Sequence, residues 1–107
     1  INITDIHAKS PRKDYSLYCA SKATLDAITR TLAIELAPEI RVNGVAPGAI
    51  LWATSESQTA RQKALASTPL NRTGEPMDIA SAVIYLASAQ YVSGQILNID
   101  GGRSLAN

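Results

Sequence analysis

The chain has 107 residues, 46% of them apolar and 18% charged, a length and balance suited to one globular domain with a single core. Its net charge of +1, with scattered lysines and arginines, gives no indication of a nucleic-acid or membrane-surface partner. The single cysteine excludes an intrachain disulfide and no apolar run is long enough to span a bilayer, so we expect a cytoplasmic protein.

Strand-like and helix-like segments alternate along the chain. The predicted strands are 1–4, 41–46 and 94–99, and polar loops occupy 8–14 and 69–75. The predicted helices are 15–36, the weakly helical 55–67, and a third from 75 to about 89. Strands separated by helices favour parallel crossovers, so the sequence predicts an α/β fold with a parallel sheet.

The long predicted helix carries two stripes of apolar residues. One has large side chains three and four residues apart and is expected to face the core, whereas the other has only alanines and would let a second helix approach closely. The first stripe is Leu25, Ile28, Leu32 and Leu36, and the second is Ala20, Ala23 and Ala27. The alanine stripe predicts a close helix-to-helix contact, either within one subunit or with a partner.

Two features indicate a piece of a longer polypeptide. The chain opens with Ile-Asn-Ile, as if inside a buried strand, and its only methionine is Met77. Its six glycines cannot form the G-x-G-x-x-G loop that holds the pyrophosphate of a dinucleotide. We therefore expect any pyrophosphate site to lie on polypeptide outside these residues.

Tyr18 and Lys22 form the most informative pair of residues. Four residues apart on a helix, their side chains stand on the same face. An ammonium beside the phenol favours the phenolate, so we expect Lys22 to lower the pKa of Tyr18 from about 10 and prepare it to give a proton to a carbonyl or imine. The same spacing also arises by chance on protein surfaces. Because Tyr18 follows a predicted strand and a polar loop, we expect it at the carboxyl edge of the sheet, where ligands bind in such folds.

Taken together, several landmarks resemble the short-chain dehydrogenase/reductase family. In chain order they are Tyr18-x-x-x-Lys22, Arg41-Val42-Asn43, Pro47-Gly48, the loop 72–76 and the ending 92–102. The resemblance covers essentially the whole chain but only the second half of the family's fold. It implies that residues 1–107 are the C-terminal half of one reductase domain, the second half of a Rossmann-type doubly wound parallel sheet.

The resemblance also implies roles for individual residues. Tyr18 would be the proton donor, and Lys22 would hydrogen-bond the ribose of a nicotinamide nucleotide. The cofactor-binding residues that it implies are Thr4, Tyr18, Lys22, Pro47, Gly48, Ala49 and Ile50. A proline and a glycine at 47–48 allow a sharp turn with close backbone approach, although the pair alone is equally a simple turn after a strand.

Asp5 stands thirteen residues before Tyr18, where most of the family has a serine. Pteridine reductases are similar to this sequence in having aspartate there, and their segments resemble residues 2–8 and 48–52. A carboxylate can accept hydrogen bonds from pterin N–H groups and can share a proton with a phenol. The alternative role for Asp5 is to cap nearby backbone. Leu51 and Trp52 are expected to line the substrate site, and simple packing is the alternative for Trp52.

The resemblance to pteridine reductases therefore implies an NADPH-dependent reductase of dihydropterin- or dihydrofolate-like substrates, assembled as a dimer or tetramer. Its predicted catalytic residues are Asp5, Tyr18 and Lys22, and its predicted substrate-binding residues are Asp5, Tyr18, Leu51 and Trp52. Two alternatives stay open: a short-chain carbonyl reductase or alcohol dehydrogenase, such as a 3-oxoacyl thioester reductase, and a noncatalytic fragment. The absence of Ser at position 5 argues against the first.

Three remaining polar residues receive no catalytic role. His7, the only histidine, is expected to be solvated or bonded to backbone, with contact to substrate as the alternative. Arg103 is interpreted as ordinary surface, with a reach into a neighbouring subunit's pocket as the alternative. Because Cys19 is isolated as well, no metal site is predicted.

Overall fold

The computed structural model describes residues 1–106, which form a three-stranded parallel sheet with helices packed on it. The strands are β1 (Asn2–Ile3), β2 (Gly44–Pro47) and β3 (Ile96–Ile99), in the order β1-β2-β3. The α-helices are α1 (Ser16–Glu35), α2 (Gln58–Ala66) and α3 (Pro76–Ser88), and single 3₁₀ turns occupy Ile6–Ala8 and Arg103–Leu105. Helix α1 connects β1 to β2, and α2 and α3 connect β2 to β3. The predicted α/β fold with a parallel sheet is confirmed.

Two strands begin later than the sequence predicts. Pairing of β2 starts at Gly44, which lies opposite Asn2 of β1 and Ile96 of β3. The Arg41 guanidinium donates hydrogen bonds of 2.8 to 3.1 Å to the carbonyls of Leu86 and Ala87 in the last turn of α3 and of Val92 beyond it. Strand β3 starts at Ile96 because Gly94, with a φ of 73°, forms a left-handed turn before it. The Arg-Val-Asn landmark thus begins as an anchor for α3 rather than as a strand.

The core lies where α3 packs onto β2 and β3. Val45 on β2 is fully buried against Ala82 and Leu86 of α3. Partly buried apolar side chains surround this centre, namely Ile79, Val83, Val92 and Ile99. The cluster fixes the sheet under the loops that follow each strand, and so it positions the carboxyl edge.

The buried face of α1 differs from the prediction. Its buried residues are Cys19, Asp26, Thr29 and Ala33, whereas Leu25 and Leu32 are half-buried, and Ile28, Leu36 and the three alanines are exposed. The interpretation of the leucine stripe as the core face was wrong. The reason is polar docking onto β1: Asn2 Nδ2 donates to Thr29 Oγ1 at 2.9 Å, and Lys22 Nζ donates to the Ile3 carbonyl at 3.1 Å. These two bonds set the rotation of α1, which apolar periodicity alone cannot determine.

Helix α1 is also the longest helix of the molecule. Among residues 1–106, neither it nor any other helix combines the length and apolar character needed to cross a membrane.

Candidate active site

A cleft of about 690 Å³ lies at the carboxyl edge of the sheet. Three parts of the chain line it: the segment after β1, the segment after β2, and α2 together with the C-terminal 3₁₀ turn. Among the residues that line the cleft are Asp5, His7, Arg12, Tyr15, Tyr18, Gly48, Leu51, Trp52, Glu56, Lys63 and Arg103. A second cavity of about 540 Å³ shares only Ala49 with this cleft and contains neither Tyr18 nor Asp5. The cleft is therefore the candidate reaction site.

Asp5 and Tyr18 meet in a short hydrogen bond inside the cleft. The Tyr18 hydroxyl donates to Asp5 Oδ2 at 2.6 Å, and the backbone N–H of His7 donates to Asp5 Oδ1 at 2.7 Å. One carboxylate oxygen thus caps the turn Ile6–Ala8 while the other holds the phenol. The two roles that the sequence left open for Asp5 are compatible, because they use different oxygen atoms.

The environment of Tyr18 raises its pKa to about 12, and the predicted lowering by Lys22 is contradicted. Burial disfavours the phenolate first, and the hydrogen bond to Asp5 and the negative charge of that carboxylate disfavour it further. Lys22 Nζ lies 5.9 Å from the centre of the Tyr18 ring and gives a hydrogen bond to the Ile3 carbonyl instead. Tyr18 and Lys22 share one face of α1, as predicted, but burial and, after it, the Asp5 carboxylate decide the direction of the pKa shift of Tyr18.

A titration of the cofactor-free protein tests this assignment. Ultraviolet absorbance should reveal a tyrosine that ionises near pH 12, and this component should be missing in Tyr18→Phe. In Asp5→Asn the pKa of Tyr18 should move toward the ordinary value of 10.0, because the uncharged amide disfavours the phenolate less.

Since the folded state holds the Tyr18 proton more tightly than the unfolded state, the free energy of unfolding should fall between about pH 10 and pH 12. Tyr18→Phe should lose less stability over that range. Ionisation of Tyr18 below pH 10 would instead show that Lys22 dominates.

The residues predicted to bind a nicotinamide nucleotide divide into two groups in the structure. Lys22 Nζ makes one hydrogen bond within the chain, which leaves donors of its ammonium available for ribose hydroxyls. Gly48 lies so close to Asp100 that a Cβ would sit 2.7 Å from its Cα, so only glycine allows this turn. By contrast, Thr4 is 2% exposed with its hydroxyl donated to the Val45 carbonyl. Pro47 and Ile50 lie outside the cleft lining, and so does Lys22. Lys22 and the turn at Gly48 fit a nucleotide, and the cofactor roles of all these residues stay predictions.

An ion pair joins two walls of the cleft. Arg12 Nη2 lies 3.1 Å from Glu56 Oε1, and the Arg12 guanidinium also stacks over the Tyr15 ring at 4.3 Å. The partners are 44 residues apart in sequence. Sequence analysis missed the pair because no local pattern records a contact over that distance.

Leu51 and Trp52, which were predicted to bind substrate, both line the cleft. Trp52 is half-buried there, and Leu51 beside it is 78% exposed. The Arg61 guanidinium lies 5.9 Å from the Trp52 ring and donates to the Ala53 carbonyl at 3.3 Å. Trp52 is thereby held between the cleft and a cation, a position that suits a wall for a flat ring.

Arg103 corrects another prediction. It is half-buried and lines the cleft, whereas the sequence suggested ordinary surface. The turn after β3 folds back toward α2 and carries Arg103 with it. His7 also lines the cleft, and its Nδ1 lies 2.8 Å from the Ser10 carbonyl, the backbone bond that was expected.

The chain is similar to known oxidoreductases. A family model described as Enoyl-(Acyl carrier protein) reductase matches residues 1–104. The 7alpha-hydroxysteroid dehydrogenase of Escherichia coli K12 is 42% identical over 95% of this chain and 42% of its own length. The dihydromonapterin reductase of Klebsiella pneumoniae is 36% identical over 98% of this chain and 44% of its own length.

A solved structure is similar as well. The complex of a 7 alpha-hydroxysteroid dehydrogenase with NADH and 7-oxo glycochenodeoxycholic acid superposes with a TM-score of 0.88. The two sequences are 40% identical over 94% of this chain and 42% of that one. The chain thus spans less than half the length of the relatives it matches, and its fold corresponds to part of a larger Rossmann-type sheet.

Proposed function

This chain belongs to the short-chain dehydrogenase/reductase family, and we propose that it is the C-terminal half of an NADPH-dependent reductase of dihydropterin- or dihydrofolate-like substrates. The observation that carries the proposal is the 2.6 Å hydrogen bond from the Tyr18 hydroxyl to Asp5 in a cleft walled by Trp52. A carboxylate at this place suits a substrate that donates N–H groups, which a ketone does not. The similarity to a dihydromonapterin reductase supports the same substrate class.

The proposed reaction adds a hydride and a proton across a C=N bond of the pterin ring. A reduced nicotinamide, when bound, supplies the hydride. Tyr18 supplies the proton, but its hydroxyl has only one, which the structure shows directed at Asp5. A substrate N–H donated to Asp5 would compete for that carboxylate oxygen and release the hydroxyl toward the ring nitrogen. The remaining tyrosinate, whose conjugate acid has a pKa of about 12, regains a proton from solvent in the open cleft.

Binding of the nicotinamide nucleotide is assigned to Lys22 and the turn at Gly48. Free donors of the Lys22 ammonium would hydrogen-bond the ribose, and backbone groups beside Gly48 would contact the carboxamide of the nicotinamide. The G-x-G-x-x-G loop is not part of these 107 residues. We therefore assign the pyrophosphate to an N-terminal half that completes the domain.

Assembly into a dimer or tetramer through α1 is part of the same proposal. The alanine stripe is exposed, and Leu17 beside it on α1 is 87% exposed. Small side chains allow two helices to approach closely, and the contact would cover apolar surface. With a net charge of +1 the proposed ligands are small molecules, and neither nucleic acid nor membrane is among them.

A carbonyl reductase or alcohol dehydrogenase is the competing function. The similarity to 7alpha-hydroxysteroid dehydrogenase, at 42% identity, favours it. Asp5 argues against it, because a carboxylate repels the lone pairs of a carbonyl oxygen unless it first takes a proton.

The test compares two substrates of the complete protein that contains this chain, with NADPH consumption followed spectroscopically. Dihydrobiopterin should be reduced with a higher kcat/KM than acetoacetyl-CoA, because only the pterin donates N–H groups to Asp5. Turnover of the thioester alone would replace the proposal with the carbonyl reductase. NADPH binding without turnover of either substrate would favour a noncatalytic role.

A further inference from the structure

We propose that Lys63 and Arg103 form an anion-binding subsite of the cleft, which holds the carboxylate tail of a dihydrofolate-like substrate. This inference rests on the proposed function and narrows it, because dihydrobiopterin has no charged tail. Five charged side chains line the cleft: Asp5, Arg12, Glu56, Lys63 and Arg103. They comprise three cations and two carboxylates.

Within residues 1–106, two of the three cations have no carboxylate partner. Arg12 is taken up by Glu56 at 3.1 Å, and Asp5 accepts hydrogen bonds from Tyr18 and His7. Over residues 1–106 the other ion pair is Arg72 with Asp78, which lies outside the cleft. Neither Lys63 nor Arg103 therefore has a carboxylate partner in the part of the chain that the structure describes.

The turn that carries Arg103 is held by hydrogen bonds to Asp100 and contains two glycines. The Asp100 carboxylate accepts the backbone N–H groups of Gly102 at 2.9 Å and Ser104 at 2.8 Å. Burial alone would raise the pKa of Asp100, but these hydrogen bonds outweigh it and hold the pKa below its usual value. Gly101 and Gly102 both have positive φ, 62° and 86°, which other residues rarely adopt. Arg103 is thus presented from a fixed turn rather than from a loose terminus.

The same turn is packed against the end of α2, close to Lys63. The Leu70 N–H donates to the Gly101 carbonyl at 3.1 Å, and a Cβ on Gly101 would lie 2.8 Å from Thr68 Cγ2. Thr68 in turn donates its hydroxyl to the Ala64 carbonyl of α2 at 2.8 Å. These contacts bring the turn that carries Arg103 to the end of the helix that carries Lys63, and both cations line the cleft, whereas Asp5 and Tyr18 come from the segment that follows β1.

The division of the cleft matches a substrate with two ends. A flat ring would occupy the part with Asp5 and Tyr18, and a carboxylate would meet Lys63 and Arg103. A guanidinium binds a carboxylate through two parallel N–H donors, and an ammonium adds a flexible point charge. Lys63 also lies in the last turn of α2, where a cation complements the helix dipole. Within residues 1–106 the Arg103 side chain makes no hydrogen bond or ion pair, and Arg103 is half-buried whereas Lys63 is exposed, so Arg103 is the more informative residue to change.

The test uses Arg103→Met, Lys63→Met and the double variant of the complete protein, with Lys13→Met as a matched control. Lys13 is exposed and lines neither cavity. We expect Arg103→Met to lower kcat/KM for dihydrofolate about tenfold more than kcat/KM for dihydrobiopterin, mainly through KM, because a charge-assisted hydrogen bond is lost. Added salt should raise KM for dihydrofolate more than KM for dihydrobiopterin in the wild type. The rise of KM for dihydrofolate should be smaller in the double variant. Equal losses for both pterins would overturn the subsite and leave Arg103 a structural residue.

A binding measurement separates this inference from the proposed function. The tail alone, as para-aminobenzoylglutamate, should bind the wild type more tightly than the double variant in calorimetry. Binding that depends on both cations, in a protein that reduces no pterin, would sustain the subsite and reject the proposed function. If the protein reduces the pterin, and the wild type and the double variant bind the tail equally, the proposed function is supported and the subsite is rejected.

Discussion

Replacing Tyr18 by phenylalanine is expected to lower kcat of the complete protein by about 10²–10⁴-fold, the range associated with a lost general acid. The change removes one oxygen and leaves the ring that packs at the start of α1. In the structure that oxygen is the donor to Asp5 at 2.6 Å, and the group has a pKa of about 12, so it is protonated at every physiological pH. Steady-state reduction of dihydrobiopterin by NADPH measures the effect.

The control for this variant is Tyr85→Phe on α3. Tyr85 is 56% exposed and lines neither cavity, so the activity of the Tyr85→Phe variant should equal that of the wild type. Thermal unfolding of both variants shows whether the fold is kept, and NADPH binding to Tyr18→Phe should persist because Lys22 is unchanged. A Tyr18→Phe enzyme with activity within threefold of the wild type would remove Tyr18 from the mechanism, and another donor would have to be found.

Replacing Asp5 is expected to change which substrate the protein prefers. In Asp5→Asn, kcat/KM for dihydrobiopterin should fall about 10–100-fold, because a charged acceptor for pterin N–H groups becomes a neutral one. In Asp5→Ser, a hydroxyl able to donate to a carbonyl replaces the carboxylate. The ratio of kcat/KM for dihydrobiopterin to that for acetoacetyl-CoA should therefore fall at least tenfold.

The structure guides the choice of these Asp5 variants. Asp5 Oδ1 also caps the turn Ile6–Ala8 by accepting the His7 N–H, so an alanine would remove a structural contact together with the charge. Asparagine and serine keep an acceptor for the cap. The matched control is Asp14→Asn, at a loop position with a φ of 68° that asparagine tolerates. An unchanged substrate ratio in Asp5→Ser would show that position 5 does not select the pterin.

The sequence was sufficient for features that depend on neighbours along the chain. Helical spacing placed Tyr18 and Lys22 on one face of α1, and helix α3 was expected at its proline and acidic start, where the structure has it. The thirteen-residue spacing predicted that Asp5 would work with Tyr18, and the two are hydrogen-bonded. Each of these inferences uses the short-range geometry of the backbone or a motif of the family.

Features that depend on distant segments were decided only by the tertiary structure. The rotation of α1 is set by polar contacts with β1, which override the leucine stripe. The direction of the Tyr18 pKa shift depends on burial and on a carboxylate at 2.6 Å, two quantities that spacing along a helix does not contain. Arg12 meets Glu56, and Arg103 joins Lys63 in the cleft, because loops from separate strands converge at one edge of the sheet. Periodicity and motifs therefore determined the elements and the positions of Tyr18 and Asp5, and chain folding over long distances determined the charges around these two residues.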